Sequence, residues 1–249
     1  VKKKDKELVA IVDLTLETVK PGEIGVFEEI EQEFKLKDGD LLKVQPADKP
    51  KSIDFIRKKL DKGTLENEEI KEIINDVTMN RLTDIELTSF VTAGYINGFT
   101  MDETVSLTDA IVGSGTTMHF DRKPIIDKHC IGGVAGNRTT MIVVPIIAAA
   151  GLTIPKTSSR AITAPSGTAD TMEVLAPVCL GEKEIYDTVK KTGGCIVWGG
   201  GINIASADDK LIAVRNPLRI DPEGMLLASI MAKKKSLYDH GPAQNSLHG

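Results

Sequence analysis

A glycine-rich stretch at residues 127–140, DKHCIGGVAGNRTT, constrains the fold more than any other feature of the sequence. A short apolar run at 124–126 precedes it, and a longer one at 141–150 follows and ends at Gly151. This order predicts a strand, a loop and a helix. Glycines let backbone N–H groups approach an anion, and a helix start supplies further N–H donors. The stretch therefore predicts a phosphate site, although no Gly-Lys-Ser or Gly-Lys-Thr closes it as in a P-loop.

The chain beyond this stretch alternates between predicted strands and predicted helices. We predict a strand at 152–157, a polar loop at 158–170, a helix around Met172, a helix at 182–192 and a strand at 195–198. Three glycines at 199–201 then suggest a hinge. Such alternation favours a mainly parallel sheet with right-handed crossovers. Because ligands bind at the carboxyl ends of parallel strands, both polar loops should face one site.

Amphipathic helices dominate the region before the glycine-rich stretch. Four are predicted between residues 52 and 113, and the sequence at 83–86 has the form of a capping box. Two later helices, at 207–214 and 226–234, should pack back onto this bundle. Residues 8–46 contain turn signals and three candidate strands, at 8–12, 24–27 and 41–44.

These patterns predict a multi-domain α and α/β protein. It comprises a small and incomplete N-terminal β module, a helical bundle domain, and part of a mainly parallel α/β domain with phosphate-binding loops at the carboxyl ends of its strands. The expected boundaries are 1–50 for the β-rich module, 51–119 for the first part of the helical domain, 120–201 for the α/β part, 202–237 for the second helical part and 238–249 for an irregular tail.

Composition excludes several classes of function. The net charge is −5, which argues against a nucleic-acid surface. The three cysteines, Cys130, Cys179 and Cys195, are too far apart for a zinc site or a disulfide framework, so we expect no metal and a reducing cytoplasm. No apolar run reaches the roughly 18 residues of a membrane span, so no membrane partner is expected.

The two loops, at 127–134 and 158–168, resemble those of the thymidine phosphorylase family of nucleoside phosphorylases. Within that family, 156–163 and 167–170 are similar to the archaeal AMP phosphorylases, and Ala164 stands where thymidine phosphorylases carry a histidine. The resemblance implies a pentosyltransferase that phosphorolyses AMP, with CMP and UMP as further substrates, to free base and ribose 1,5-bisphosphate. It implies no cofactor, inorganic phosphate as co-substrate, and a homodimer or higher oligomer formed through the helical domain.

The same resemblance implies roles for individual residues. Asp221 would protonate the leaving base. The attacking phosphate would be held by Lys128, Cys130, Thr139 or Thr140, Ser158 and Thr168. The nucleotide would be bound by Gly133, Ser159, Arg160, Ala161, Ile162, Thr163, Ala164, Thr168 and Ser229, with Arg215 and Lys233 on the side of the base. Arg160 could contact the 5′-phosphate with both arms of its guanidinium.

Other interpretations stay open at this point. The chain could be a phosphorylase of free pyrimidine nucleosides such as thymidine or uridine, a phosphoribosyltransferase, or an inactive nucleotide-binding fragment. Asp221 could be only a helix cap before Pro222, and His129 only a structural residue. The family continues past the last helix with an apolar strand and a lysine-containing glycine loop. The tail at 238–249 does not match that segment, so we expect the chain to be truncated relative to the family and this piece to be inactive alone.

Overall fold

The computed structural model describes residues 1–3, 6–10, 12, 15, 18–121, 124–129, 137–161, 166–202 and 204–237. Its strands are β1 Lys2–Lys3, β2 Lys6–Glu7, β3 Ile154–Ser158 and β4 Gly194–Trp198. Its α-helices are α1 Glu28–Phe34, α2 Ser52–Leu60, α3 Asn67–Thr78, α4 Asp84–Asn97, α5 Met101–Gly113, α6 Asn137–Ala149, α7 Thr168–Glu173, α8 Glu182–Thr192, α9 Ser206–Leu218 and α10 Glu223–Leu237.

The N-terminal module differs from the three strands predicted for it. β1 and β2 form a small antiparallel pair, and Lys43 joins it only through an isolated bridge to Lys2. The described residues of 8–12 and all of 24–27 lie outside strands, so these two strand predictions are wrong. The next segment forms α1, because glutamate and glutamine are good helix formers and Phe34 is buried.

The helical domain follows the sequence signals closely. The predicted capping box at 83–86 is confirmed: Thr83 Oγ1 accepts from the backbone N–H of Glu86, and Glu86 Oε2 accepts from that of Thr83 at 2.7 Å. Thr100 and Glu103 form the same box at the start of α5. Two of the unpaired donors at each helix start are thereby satisfied.

The returning helices pack against this bundle, as the sequence predicts. One apolar core contains Ile70, Phe90 and Leu107 of the first helices together with Leu211 of α9 and Met225 of α10. Side chains that leave water in this way supply the main driving force for joining two distant parts of the chain. The helical domain is therefore built from segments on both sides of the α/β part.

Helices α5 and α10 approach each other closely at Gly224. A Cβ atom at this position would lie 2.7 Å from Cβ of Phe99 and 2.9 Å from Oγ1 of Thr104. Real Cβ atoms essentially never make contacts under 3.0 Å, so the packing of α10 on the bundle as observed requires glycine here.

The α/β part contains a parallel sheet, as predicted. β3 and β4 pair in parallel, with Ile154 opposite Gly194 and Ser158 opposite Trp198. The expected strand at 124–126 is reduced to a parallel bridge between Ile125 and Thr153. All five residues of β3 are buried, and β3 leads directly into the second polar loop. These findings confirm the predicted fold class, whereas the domain boundaries stay predictions.

In the part of the chain that the structure describes, helices long and apolar enough to cross a membrane are absent.

Candidate active site

The entrance of the first polar loop lies against the start of α6. Lys128 Nζ donates to Oγ1 of Thr140 at 3.2 Å, and Thr140 is fully buried in the first turn of that helix. Thr139 is exposed beside it. The structure thus brings three of the predicted phosphate-binding residues to one place. Two other predicted site residues of this loop, Cys130 and Gly133, lie outside the described residues.

Asp127 and His129 form a buried pair at the same entrance. His129 Nδ1 lies 2.5 Å from Oδ2 of Asp127. Burial raises the pKa of Asp127, but the hydrogen bond to His129 and the charges of His129, Lys156 and Lys234 outweigh it, so the net direction is down. Burial is the main cause that lowers the pKa of His129. A neutral imidazole that donates from Nδ1 to a carboxylate keeps Nε2 as an acceptor.

The second polar loop is tied together by one carboxylate. Asp170 Oδ2 accepts from the backbone N–H groups of Ala161 and Gly167, each at 2.8 Å. A Cβ atom on Gly167 would lie 2.8 Å from the nitrogen of Ala161, so only glycine fits this closure. Burial raises the pKa of Asp170, but these backbone donors and Arg160 lower it further, and the net direction is down.

The remaining predicted residues of this loop flank that closure. Ser158 ends β3 and donates from Oγ to the carbonyl of Ser159 at 3.0 Å, while Thr168 is buried as the first residue of α7. Three predicted nucleotide-binding residues lie outside the described residues: Ile162, Thr163 and Ala164.

Arg160 faces carboxylates in this conformation. Its Nη1 donates to Asp170 at 2.9 Å and to Glu173 at 2.7 Å, and its Nη2 donates to the other oxygen of Glu173 at 3.0 Å. The guanidinium also lies 4.9 Å from the ring centre of Trp198, within the range of a cation–π contact. The predicted contact of Arg160 with a 5′-phosphate would require the guanidinium to exchange these partners, and it stays a prediction.

The predicted base-side residues meet inside the helical domain. Ser229 Oγ and Lys233 Nζ of α10 both donate to Oδ2 of Asp208 on α9, at 2.6 and 2.7 Å, and Lys233 also donates to Ser229 at 3.0 Å. Arg215, also on α9, donates from Nη2 to Asp221. Its Nη1 lies 3.8 Å from Oδ1 of Asp208. The structure thus gathers all four predicted residues of the helical side around a carboxylate that the sequence analysis missed.

Several buried polar atoms of this region have no hydrogen-bond partner among the described residues. They are Oδ1 of Asp127, Nε2 of His129, Oγ1 of Thr157, Nε and Nη1 of Arg215, and Oγ of Ser236. Buried polar atoms are normally satisfied, so a cluster of exceptions marks a place that is suited to a polar ligand.

The two sides of the site are close enough to act on each other. Burial is the largest cause that lowers the pKa of His129, and the charge of Lys233 on α10 adds to it in the same direction. The charge of Lys234 likewise helps to lower the pKa of Asp127. The backbone N–H of Met118 donates to the carbonyl of Ser236 at 2.7 Å, which ties the end of α10 to the start of the α/β part. The described entrance of the first loop therefore lies near enough to α10 for the charges of Lys233 and Lys234 to act on it.

Family models match both parts of the chain. The model "Glycosyl transferase family, helical bundle domain" matches residues 53–115, and "Glycosyl transferase family, a/b domain" matches residues 122–221. Together they span the bundle, the first loop, the second loop and Asp221. A helical bundle joined to an α/β unit with polar loops after its strands is the class that this fold and site define, and the chain belongs to this glycosyl transferase family.

Individual relatives narrow the likeness within this family. The chain is 52% identical to an AMP phosphorylase of Methanocella arvoryzae over 93% of its own length and 46% of that protein. It is 50% identical to the AMP phosphorylase of Thermococcus sibiricus, over 88% of this chain and 44% of that protein. AMP phosphorylase 1 of Archaeoglobus fulgidus is 48% identical over 92% and 46%. The predicted resemblance to archaeal AMP phosphorylases is confirmed, and the chain spans about half the length of these relatives.

A solved structure supports the fold. The crystal structure of anthranilate phosphoribosyltransferase from Thermus thermophilus is similar with a TM-score of 0.58 over 72% of this chain and 54% of that one. The two sequences are only 17% identical, so the likeness concerns the arrangement of helices and sheet.

Proposed function

We propose that this chain carries the phosphate-binding and nucleotide-binding part of an AMP phosphorylase. The reaction breaks the bond between the ribose C1′ and the base while a phosphate oxygen bonds to C1′. The products are adenine and ribose 1,5-bisphosphate. CMP and UMP are further candidate substrates, and inorganic phosphate is the co-substrate with no resident cofactor. The observation that carries the proposal is that buried polar atoms without a partner among the described residues occur both at the entrance of the first loop, on Asp127 and His129, and in the helical domain, on Arg215.

The first loop would hold the attacking phosphate. Lys128 supplies a positive charge, and Thr139 and Thr140 belong to the start of α6, where helix N–H donors and the helix dipole favour an anion. His129, neutral and hydrogen-bonded through Nδ1, can accept a hydrogen bond at Nε2 from a protonated phosphate oxygen. Such fixed partners lower the barrier by positioning the nucleophile below the sugar.

The second loop would hold the 5′-phosphate of the nucleotide. Asp170 fixes the backbone N–H groups of Ala161 and Gly167, so these two points of the loop are held in place before a ligand arrives. Binding energy from a phosphate group remote from the bond that breaks can then be used to orient the reacting centre.

The helical wall would hold the base and supply the proton. Ser229, Lys233 and Arg215 present donors to the base, and Asp221 donates a proton as the base departs. For this transfer the contact between Arg215 and Asp221 must open, and the Asp221 carboxylate must first take up a proton, which the attacking dihydrogen phosphate can supply. Arrival of the base and release of the carboxyl group would therefore be coupled.

A second candidate function is phosphorolysis of free pyrimidine nucleosides. The gathering of Arg215, Ser229 and Lys233 favours it, because these positions match the residues that hold the base in pyrimidine-specific members of the resembled family. The two functions differ in whether the 5′-phosphate is required.

Substrate comparison decides between them. The full protein that contains this chain is incubated with AMP, CMP, UMP, adenosine and uridine, each with and without phosphate, and free base is measured by chromatography. We expect adenine from AMP only when phosphate is present. Base release from uridine but not from AMP would favour the second candidate, and no release from any substrate would exclude phosphorolysis.

The role of Asp221 is tested in the same assay. Asp221→Asn should keep AMP binding and lower turnover at least ~100-fold, because an amide cannot donate the acidic proton. Glu223→Gln, an exposed acid in the first turn of α10, is the matched control and should retain activity. Near-normal turnover of Asp221→Asn would remove it from the acid role.

The partner and the compartment are also proposals. Exposed apolar side chains on α4 and α5, among them Ile85, Ile96 and Val105, support a homodimer formed through the helical domain. A cytoplasmic location follows from the reducing conditions that three widely spaced cysteines favour. Light scattering of the full protein would measure the oligomer, and a monomer at micromolar concentration would contradict the first proposal.

A further inference from the structure

One carboxylate, that of Asp208, joins the three residues expected to hold the base. It lies in the first turn of α9 and its side chain is 1% exposed. Ser229 and Lys233, one turn apart on α10, both donate to its Oδ2, and the guanidinium of Arg215 approaches its Oδ1 at 3.8 Å. The motifs of the two polar loops do not indicate a role for this residue. Its partners lie outside those loops, on α9 and α10.

The shared acceptor restricts groups that are otherwise mobile. A lysine side chain has several rotatable bonds, and fixing it costs conformational entropy that its contacts must offset. A serine hydroxyl rotates freely unless an acceptor fixes its direction. Because Oδ2 receives both donors, the direction of the Ser229 hydroxyl and the position of Lys233 Nζ are set together.

Asp208 also balances charge in this wall. Arg215 and Lys233 carry two positive charges, and Asp208 and Asp221 carry two carboxylates. When Asp221 leaves Arg215 to act on the base, the carboxylate of Asp208 stays within ion-pair distance of both cations. A buried cation without a carboxylate partner is costly, so Asp208 allows Asp221 to move.

We propose that Asp208 is a positioning residue that holds Lys233, Ser229 and Arg215 in the arrangement that receives the base. This inference rests on the proposed function of the site. It deepens that function by assigning specificity for the base to the hydrogen-bonded unit of Asp208, Ser229 and Lys233, with Arg215 held beside it at ion-pair distance. The alternative is that Asp208 only fastens α9 to α10, in which case it affects folding but not the choice of ligand.

The first experiment measures the ammonium group of Lys233 directly and needs no activity. In the full protein labelled with ¹⁵N, a buried and hydrogen-bonded ammonium group exchanges slowly and gives an observable ¹H–¹⁵N signal, assigned by its loss in Lys233→Met. Asp208→Asn should abolish this signal. The matched control is Asp109→Asn. It removes the carboxylate partner of Lys235, a lysine that lies on α10 like Lys233 but forms an exposed ion pair. The control should keep the Lys233 signal.

The second experiment separates the two substrates. In Asp208→Asn we expect KM for the nucleotide to rise at least ~10-fold while KM for phosphate changes less than ~2-fold, because the phosphate loop is a separate unit. If Asp208 only holds α9 against α10, the variant would lower the amount of folded enzyme and would leave both KM values unchanged. Retention of the Lys233 signal, or equal changes in both KM values, would overturn the proposal. Absence of phosphorolysis in the unmodified protein would reject the proposed function, and the Lys233 signal would still decide whether Asp208 positions that side chain.

Discussion

Two buried clusters of charged residues in the helical domain differ in how completely their polar atoms are satisfied. Lys59 Nζ donates to Glu103 at 2.7 Å, and both side chains are 5% exposed or less. The other donors to Glu103 are the backbone N–H groups of Leu65 and Thr100, at 2.8 and 2.7 Å, so both carboxylate oxygens are bonded. Arg215, 1% exposed, leaves Nε and Nη1 without a hydrogen bond among the described residues.

The comparison teaches which buried charges serve the fold and which serve the site. A fully satisfied group in a low-dielectric interior makes the structure more specific and more rigid. A partly satisfied one loses stability unless a ligand completes its bonds. We therefore assign the pair of Lys59 and Glu103 to the joining of α2 and α5. For Arg215 ligand binding remains the proposal that its unsatisfied atoms support.

The largest expected effect on stability is that of Glu103→Gln. It leaves Lys59 as an unpaired cation in the core, and we expect a loss of about 3–5 kcal/mol in the free energy of unfolding. Urea denaturation followed by circular dichroism measures it. The control is Glu69→Gln, which removes the partner of Lys58, the neighbouring lysine, from a pair with 39% and 18% exposed side chains. That variant should lose no more than about 1 kcal/mol.

The cost of Glu103→Gln should also depend on pH. Burial raises the pKa of Glu103, but its backbone donors and Lys59 outweigh burial, and the net direction is below the ordinary 4.5. The carboxylate therefore stabilises the fold above pH ~4.5, and this contribution is lost as the pH falls through the lower folded pKa. The difference between the variant and the unmodified protein should shrink in acid, and a constant difference would contradict the ion-pair explanation.

Arg215→Met should have a small effect on stability and a large effect on turnover. Asp208 keeps its two donors from α10, and Asp221, with 17% of its side chain exposed, can reach water. We expect a loss of less than about 2 kcal/mol in the free energy of unfolding. If the proposed role holds, turnover of AMP should fall at least ~100-fold, because the variant removes the donor proposed to bind the base. A stability loss as large as that of Glu103→Gln would break the comparison.

An effect that appears only in the pH dependence is expected from Asp209→Asn, next to Asp208 on α9. Burial, with help from the charge of Asp208 and against that of Lys233, raises the pKa of Asp209 to about 6. Its proton therefore favours the folded chain below the ordinary pKa of 3.8, and this contribution is lost as the pH rises through about 6. The stability of the asparagine variant does not fall in this way, because asparagine does not titrate.

Denaturation between pH 4 and 7 measures this effect. The stability of Asp209→Asn relative to the unmodified protein should increase up to pH ~6 and then stay level. An increase that continues well above that pH would assign the titration to another group.

Local signals predicted the helical domain better than the site. The threonine caps at Thr83 and Thr100 act within three residues, so the sequence shows where α4 and α5 begin. The glycine loops and the helix after the first of them were likewise evident from neighbouring residues. The return of α9 and α10 was predicted from the repetition of helical periodicity, which does not require knowledge of the contacts.

The partners of charged residues could not be predicted in the same way. Arg160 is paired with Asp170 and Glu173, which lie 10 and 13 residues further along the chain on α7. Asp208 meets Ser229 and Lys233 only because α9 and α10 pack together. In the N-terminal module, Lys2 forms a bridge with Lys43, which lies far from it in the sequence. The short apolar runs at 8–12 and 24–27 did not indicate this contact and led to wrong strand predictions.

The closure of the second loop by Asp170 has a consequence for how this family can diversify. Because both anchors are backbone N–H groups, at Ala161 and Gly167, they do not depend on the side chains between them. Positions 162–165 can therefore change in sequence while the two ends stay fixed. Changes within that window therefore need no new way of fastening the two ends.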